Sequence, residues 1–176
     1  LYVSLMAAVF EEAGRFVAFK FFLTKHTDDN ETAISYGLGH GGIECIIALG
    51  ITQLQYYAYA QLINQNKIDT VINTLPDKAS KTAMTELINA IKDMTLSESL
   101  LAGGQRFFIM FLQVALSVLV FKAVREVNNN RYIAIAIVLH TLGNIPAALY
   151  QRDVCPRLGS ELFSIAYSIV VCIFAY

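Results

Sequence analysis

Four charged stretches divide this sequence into five apolar runs, and that division restricts the chain to a membrane-embedded fold. The runs are of the order of the ~20 residues that cross the hydrocarbon core of a bilayer. Backbone groups in lipid must be bonded within a helix or a closed barrel, and the two-residue alternation of barrel strands is absent. We therefore expect an all-α, polytopic transmembrane helix bundle. The predicted spans are Leu1–Leu23, Ala33–Leu62, Arg106–Val124, Tyr132–Tyr150 and Leu162–Tyr176.

The composition excludes several other classes of protein. Hydrophobic residues make up 56% of the chain and charged residues only 15%, against roughly 25% charged in ordinary soluble domains. A net charge of −1 leaves no surplus for neutralising phosphates, so a nucleic-acid partner is not expected. Cys45, Cys155 and Cys172 form no CxxC pair, which argues against a disulfide framework or a cysteine zinc site.

One polar insertion, residues 65–104, interrupts what we expect to be a single transmembrane domain over residues 1–176. Ile88, Ile91 and Met94 recur there at helical spacing, which predicts a short amphipathic helix. Pro76 and Gly103–Gly104 would punctuate the insertion. Because both ends of the chain lie inside apolar runs, we expect it to be part of a longer membrane protein.

Six charged or histidine side chains lie away from the ends of the predicted spans and are the first candidates for function. An ionisable group at membrane depth costs on the order of 3 kcal/mol, so such residues pair inside a bundle or do chemistry in a wet cavity. The first span carries three, the second two and the fourth one: Glu11, Glu12, Arg15, His40, Glu44 and His140.

Their spacing places a polar stripe on each of three helices. Glu11 and Arg15 are four residues apart, the order that favours an ion pair, whereas Glu12 points about 100° away. Tyr36, His40 and Glu44 share a face of the second span, as His140 and Asn144 do in the fourth. Glycines and alanines beside the stripes would let the helices approach closely. We expect the three stripes to meet at one buried site.

The literal GxGxxG of residues 37–42 is not a dinucleotide fingerprint, because it lies in an apolar span with no acidic residue about 20 positions on. The stripes leave several chemistries open. A glutamate and two histidines could activate water directly, with a histidine and an asparagine stabilising an oxyanion. Glu11, His40 and His140 could instead hold zinc, or form the proton relay of a proton-coupled transporter or channel subunit. The charged pairs could also be purely structural.

Three short motifs in the predicted spans resemble those of a known family. Glu11-Glu12-Ala13-Gly14-Arg15, Tyr36 to His40 and His140 to Asn144 are similar to the EExxxR, FxxxH and HxxxN/B motifs of CAAX-protease and bacteriocin-processing membrane proteins. Gly37 to Glu44 is similar to a segment of the YhfC-like group of glutamic-type intramembrane proteases. Two positions depart from the pattern, since Arg15 comes one residue early and Tyr36 replaces phenylalanine.

The resemblance implies a multi-pass intramembrane protease of a bacterial plasma membrane that cleaves peptide or membrane-protein substrates without an obligatory metal. Glu11 would activate water with His40 as its partner, and His140 and Asn144 would form the oxyanion hole. Glu12, Arg15, Glu44 and Tyr36 would support the site.

Overall fold

The chain is helical throughout the part that the structure describes. In a computed structural model, residues 1–23, 25, 30–126 and 129–175 are described, and within them there is no strand. The α-helices are α1 (Tyr2–Val17), α2 (Asn30–Cys45), α3 (Thr52–Asn64), α4 (Ile68–Thr74), α5 (Lys78–Asp93), α6 (Leu96–Arg125), α7 (Arg131–Tyr150) and α8 (Arg157–Ala175). Two π-helical segments, Ala18–Phe22 and Ile46–Ile51, continue α1 and join α2 to α3.

Four of the helical stretches in the described residues are long and apolar enough to cross a membrane. They are Asn30–Asn64, Leu96–Arg125, Arg131–Tyr150 and Arg157–Ala175, which confirms the all-α polytopic prediction. The first predicted span is helical over residues 2–22 but is not one of the four, because four charged side chains lower its hydropathy. The predicted end of the fifth span, Tyr176, lies outside the described residues.

Two helices begin earlier in the chain than the apolar runs predict. The prediction that Gly103–Gly104 would mark a break before the third span is wrong, because α6 continues through both glycines. It begins at a capping box, in which the backbone N–H of Thr95 donates to Glu98 Oε2 at 2.8 Å and the N–H of Glu98 donates back to Thr95 Oγ1 at 3.3 Å. Helix α8 begins at Arg157, which pairs with Glu161 one turn later at 2.9 Å.

The chain divides into two compact units, residues 1–44 with 104–176, and residues 45–103. In the second unit α3, α4 and α5 pack on one another, and α5 is the amphipathic helix that its spacing predicts, with Ile88 buried. Asp77 caps α5 by accepting from the backbone N–H of Ser80 at 2.8 Å.

Helix α6 is the centre of the first unit. Every residue from Leu112 to Phe121 is buried, as expected of a helix enclosed on all sides. Helix α1 packs on α7, and α7 on α8. At the ends of the helices, Lys122 donates to the carbonyl of Ala175 at 2.9 Å, and Arg125 donates to Asn30 Oδ1 at 3.0 Å. These bonds align the C-terminal ends of α6 and α8 with the N-terminal end of α2.

Candidate active site

Glycine allows α2 to lie directly on α6, and this close contact positions the side chains of the site that α2 carries. A Cβ on Gly37 would come within 2.5 Å of Val114 Cα, and one on Gly41 within 3.1 Å of Met110 Cα. The two glycines are four residues apart, the spacing of a close transmembrane helix contact. Gly143 of α7 is also tightly packed, whereas a Cβ on Gly14, Gly39 or Gly42 would meet nothing within 4 Å.

Three ionisable side chains from three helices meet at one carboxylate oxygen. Glu11 Oε2 of α1 lies 3.4 Å from His40 Nε2 of α2 and 3.6 Å from His140 Nε2 of α7. Glu44, one turn after His40, places Oε1 3.6 Å from the same Nε2. Glu11, His40 and Glu44 remain partly exposed, at 30%, 23% and 29% of their side chains. This face of the cluster therefore reaches the surface of the unit, and we call it the open face.

The opposite face of the cluster is closed. Glu12 and Arg15 are fully buried and His140 is 3% exposed. Glu12 Oε1 lies 2.6 Å from His140 Nδ1 and 3.4 Å from Arg15 Nη1. As a carboxylate, Glu12 accepts from the Nδ1–H of His140, and the other ring nitrogen, Nε2, is directed at Glu11.

The expected pairing of Glu11 with Arg15 is wrong. Arg15 pairs with Glu12, three residues earlier, because both side chains lie on the buried face of α1, whereas Glu11 faces the open side. The second partner of Arg15 is Gln113 of α6, whose Oε1 accepts from Nη2 at 2.6 Å and whose backbone carbonyl accepts from Nη1 at 3.4 Å.

Gln113 closes the set of contacts into a ring. Its Nε2 donates to Glu44 Oε2 at 2.7 Å, while its Oε1 accepts from Arg15. We call the resulting closed chain of seven side chains the polar circuit. In order of contact, its members are Glu11, His140, Glu12, Arg15, Gln113, Glu44 and His40.

Two other predicted site residues lie beside the polar circuit. The ring of Tyr36 stacks on that of His40, with centroids 6.0 Å apart. Asn144 lies one turn after His140, is half-buried, and makes no side-chain hydrogen bond within the described part of the chain. Gln113 is not among the site residues predicted from the sequence, because it is not ionisable, although it is the only amide between Arg106 and Lys122.

The donor atoms on the open face fit a metal ion. Glu11, His40 and Glu44 each offer one ligand atom, all within 4.8 Å of one another. Ligand atoms placed tetrahedrally around zinc at about 2.1 Å lie about 3.4 Å apart, which is close to the two distances from His40 Nε2, 3.4 Å to Glu11 and 3.6 Å to Glu44. The hydrogen bond from Gln113 to Glu44 is of the kind that would orient a ligand if a metal were bound there.

Comparison with known proteins agrees with a membrane protease. The profile of a family described as YhfC intramembrane metalloprotease matches residues 1–162, which include every member of the polar circuit. A Bacillus subtilis (strain 168) protein named "Uncharacterized membrane protein YhfC" is 32% identical over 154 residues. The match covers 88% of this chain and 58% of that relative, so the chain spans somewhat more than half of its length. No solved structure matches the chain.

Proposed function

The chain belongs to the YhfC family of membrane proteins, and we propose that it is a membrane-embedded endopeptidase. The observation that carries this proposal is the position of Glu11 Oε2 between two imidazoles, 3.4 Å from His40 and 3.6 Å from His140. A carboxylate and two histidines are the side chains that most often move protons in hydrolysis. The substrate is a peptide segment in or near the bilayer.

The residues on the open face can divide the steps of peptide hydrolysis among themselves. Glu11 takes a proton from the attacking water, whose oxygen adds to the carbonyl carbon. Negative charge then develops on the carbonyl oxygen, where an imidazole N–H of His40 or a neighbouring donor stabilises it. When the C–N bond breaks, Glu11 passes its proton to the leaving amine. The site then returns to its starting protonation state.

A metal ion would be held by Glu11, His40 and Glu44. His140 would lie beside it, because its Nε2 is 3.6 Å from Glu11 Oε2. When bound, the metal would polarise the peptide carbonyl and make bound water more acidic. In this form of the site, Glu12 orients the ring of His140, and Gln113 leaves Glu44 Oε1 directed at His40.

A metal-free mechanism is the second candidate and uses the same side chains. The likeness of the three motifs to those of CAAX proteases favours it. His40 then shares the water with Glu11, and His140 and Asn144 donate to the oxyanion. Oxyanion donors of this kind typically supply ~100–1,000-fold in rate.

Cleavage of transmembrane peptides tests the proposed activity. The full protein is reconstituted in vesicles with a library of peptides that span the bilayer, and products are identified by mass spectrometry. Glu11→Gln, His40→Ala and His140→Ala should each abolish cleavage while the protein still inserts and purifies. The matched control is Glu86→Gln, at an exposed glutamate of α5 outside the site. Wild-type cleavage by Glu11→Gln would refute its role as base.

Metal content and chelation separate the two mechanisms. If a metal is required, the purified protein contains it stoichiometrically, loses activity in a chelator and recovers with zinc, and Glu44→Gln lowers the metal content. If Glu11 works without a metal, activity survives complete removal of metal.

A further inference from the structure

We propose that Gln113 is a positioning residue, which acts by holding Glu44 against His40 through a hydrogen-bonded link to Arg15. The kinetic part of this inference rests on the proposed peptidase function, whereas the geometric part does not. The expected EExxxR, FxxxH and HxxxN/B motifs lie on α1, α2 and α7, so none of them includes a residue of α6.

The chemistry of its neighbours fixes the orientation of the Gln113 amide. A guanidinium only donates hydrogen bonds, so the atom that lies 2.6 Å from Arg15 Nη2 is the carbonyl Oε1. The amide nitrogen is then the atom that lies 2.7 Å from Glu44 Oε2, to which it donates. The reverse orientation would set N–H groups against Arg15 and a carbonyl against a carboxylate. The short distances on both sides allow only the first arrangement.

The backbone of Gln113 is held as firmly as its amide. Helix α6 is buried on all sides at this level, and Gln113 is 2% exposed. Gly41 brings α2 so close that a Cβ there would lie 3.3 Å from Gln113 Cβ. Arg15 Nη1 also contacts the Gln113 carbonyl oxygen at 3.4 Å. The side chain therefore starts from a fixed point on a rigid helix.

This arrangement determines what remains available on Glu44. Because Gln113 binds Oε2, Oε1 is the oxygen directed at His40 Nε2, 3.6 Å away. Without Gln113, the contacts that remain to Glu44 among the described residues are the partly exposed ones with His40 and Glu11. Gln113 is thus held by the buried guanidinium of Arg15 and in turn fixes the orientation of the Glu44 carboxylate on the open face.

A double-substitution experiment measures the kinetic consequence. Gln113→Leu should lower kcat about 10–100-fold with little change in KM, the usual effect of losing an outer partner of an active-site group. In a Glu44→Gln background, the same substitution should cost little or nothing further, because coupled residues are not additive. Gln105→Leu, the same change at another buried glutamine of α6, should leave kcat unchanged. An undiminished loss in the Glu44→Gln background would overturn the proposal.

Chemical labelling tests the proposal without any proteolysis. Dicyclohexylcarbodiimide modifies membrane-embedded carboxyl groups, and mass spectrometry follows the ratio of labelled to unlabelled peptide that contains Glu44. Glu44 should be labelled several-fold faster in Gln113→Leu than in the wild type, and at the wild-type rate in Gln105→Leu. Equal rates in all three proteins would overturn the proposal. Faster labelling without any cleavage activity would refute the peptidase function and leave the positioning role standing.

Discussion

Glu12 Oε1 lies 2.6 Å from Nδ1 of His140, and neither side chain is more than 3% exposed. The two residues are 128 positions apart in the sequence. The contact fixes the orientation of the imidazole and directs its other nitrogen at Glu11. It therefore gives the two adjacent glutamates of α1 different tasks, one within the protein and one on the open face.

Replacing Glu12 by glutamine should lower kcat about 10–100-fold with little change in KM. The amide still accepts from His140, but it no longer carries the charge that Arg15 pairs with. The measurement is steady-state kinetics on a transmembrane peptide substrate. Glu161→Gln is the control, because Glu161 is a buried glutamate of α8 that pairs with Arg157. Equal losses in the two variants would show that any buried glutamate matters in the same way.

Replacing Arg15 by methionine should reduce the stability of the protein. Arg15 is fully buried between Glu12 and Gln113, and removing one partner of a buried ion pair typically costs about 3–5 kcal/mol. Thermal unfolding in detergent should show a lower midpoint. Lysine, with a single ammonium group, should recover only part of the loss. Arg152→Met, at an exposed position, should unfold at the wild-type temperature, and an unchanged Arg15→Met would contradict the buried network.

Replacing Gly37 by alanine should destabilise the contact between α2 and α6. The added Cβ would lie 2.5 Å from Val114 Cα, so a helix backbone must move, and overpacking of this kind costs about 1–3 kcal/mol. Gly42→Ala is the matched change on the same helix, where the Cβ meets nothing within 4 Å. Because alanine favours helix over glycine, Gly42→Ala should unfold at the wild-type temperature or above it.

Replacing Asn144 by alanine tests whether its amide stabilises the oxyanion or whether the imidazoles or a metal do so. If its amide donates to the developing charge, kcat falls ~100–1,000-fold while KM and thermal stability hold. Stability should hold because the amide makes no hydrogen bond with the described residues. Asn73→Ala, at an exposed asparagine of α4, is the control. A wild-type rate in Asn144→Ala would leave the oxyanion to the imidazoles or to a metal.

Acid should loosen the first turn of α5. The backbone N–H and hydroxyl of Ser80 donate to Asp77 and hold the pKa of its carboxyl below the usual range. A lowered folded-state pKa means that the cap stabilises α5 above the unfolded pKa of about 3.9 and is lost as the pH falls through the folded value. Hydrogen exchange of residues 80–82 should therefore lose protection in strong acid. Asp77→Asn, which caps without titrating, should show no such loss.

The sequence was sufficient to predict the helical bundle and the residues that meet at Glu11. Exposing ionisable side chains to lipid is so costly that polar stripes on separate spans are expected to pack against one another inside the bundle. It was not sufficient to predict the partner of Arg15, because the four-residue rule describes exposed helices. In the bundle, the burial of Glu12 and the amide of Gln113 decide the pairing.

The start of α6 and the position of Gln113 also differ from the prediction, and both are indicated by residues in the sequence other than the apolar runs. Thr95 and Glu98 are spaced as a capping box, which accounts for the start of α6 at Leu96, ahead of the glycine pair. Gln113 stands among apolar residues of α6 and is the single amide between Arg106 and Lys122. What no pattern indicated is the direction in which that amide points, because the direction depends on side chains 69 and 98 residues away.

The long sequence separations within the polar circuit have a consequence for how the protein is made. Helix α1 leaves the ribosome well before Gln113 and His140, which come 98 and 128 residues after their partners Arg15 and Glu12. Until α6 and α7 are synthesised, α1 is a poor substrate for lateral release into lipid. We therefore expect its stable insertion to depend on the later helices, and a truncated nascent chain should leave α1 accessible to aqueous reagents.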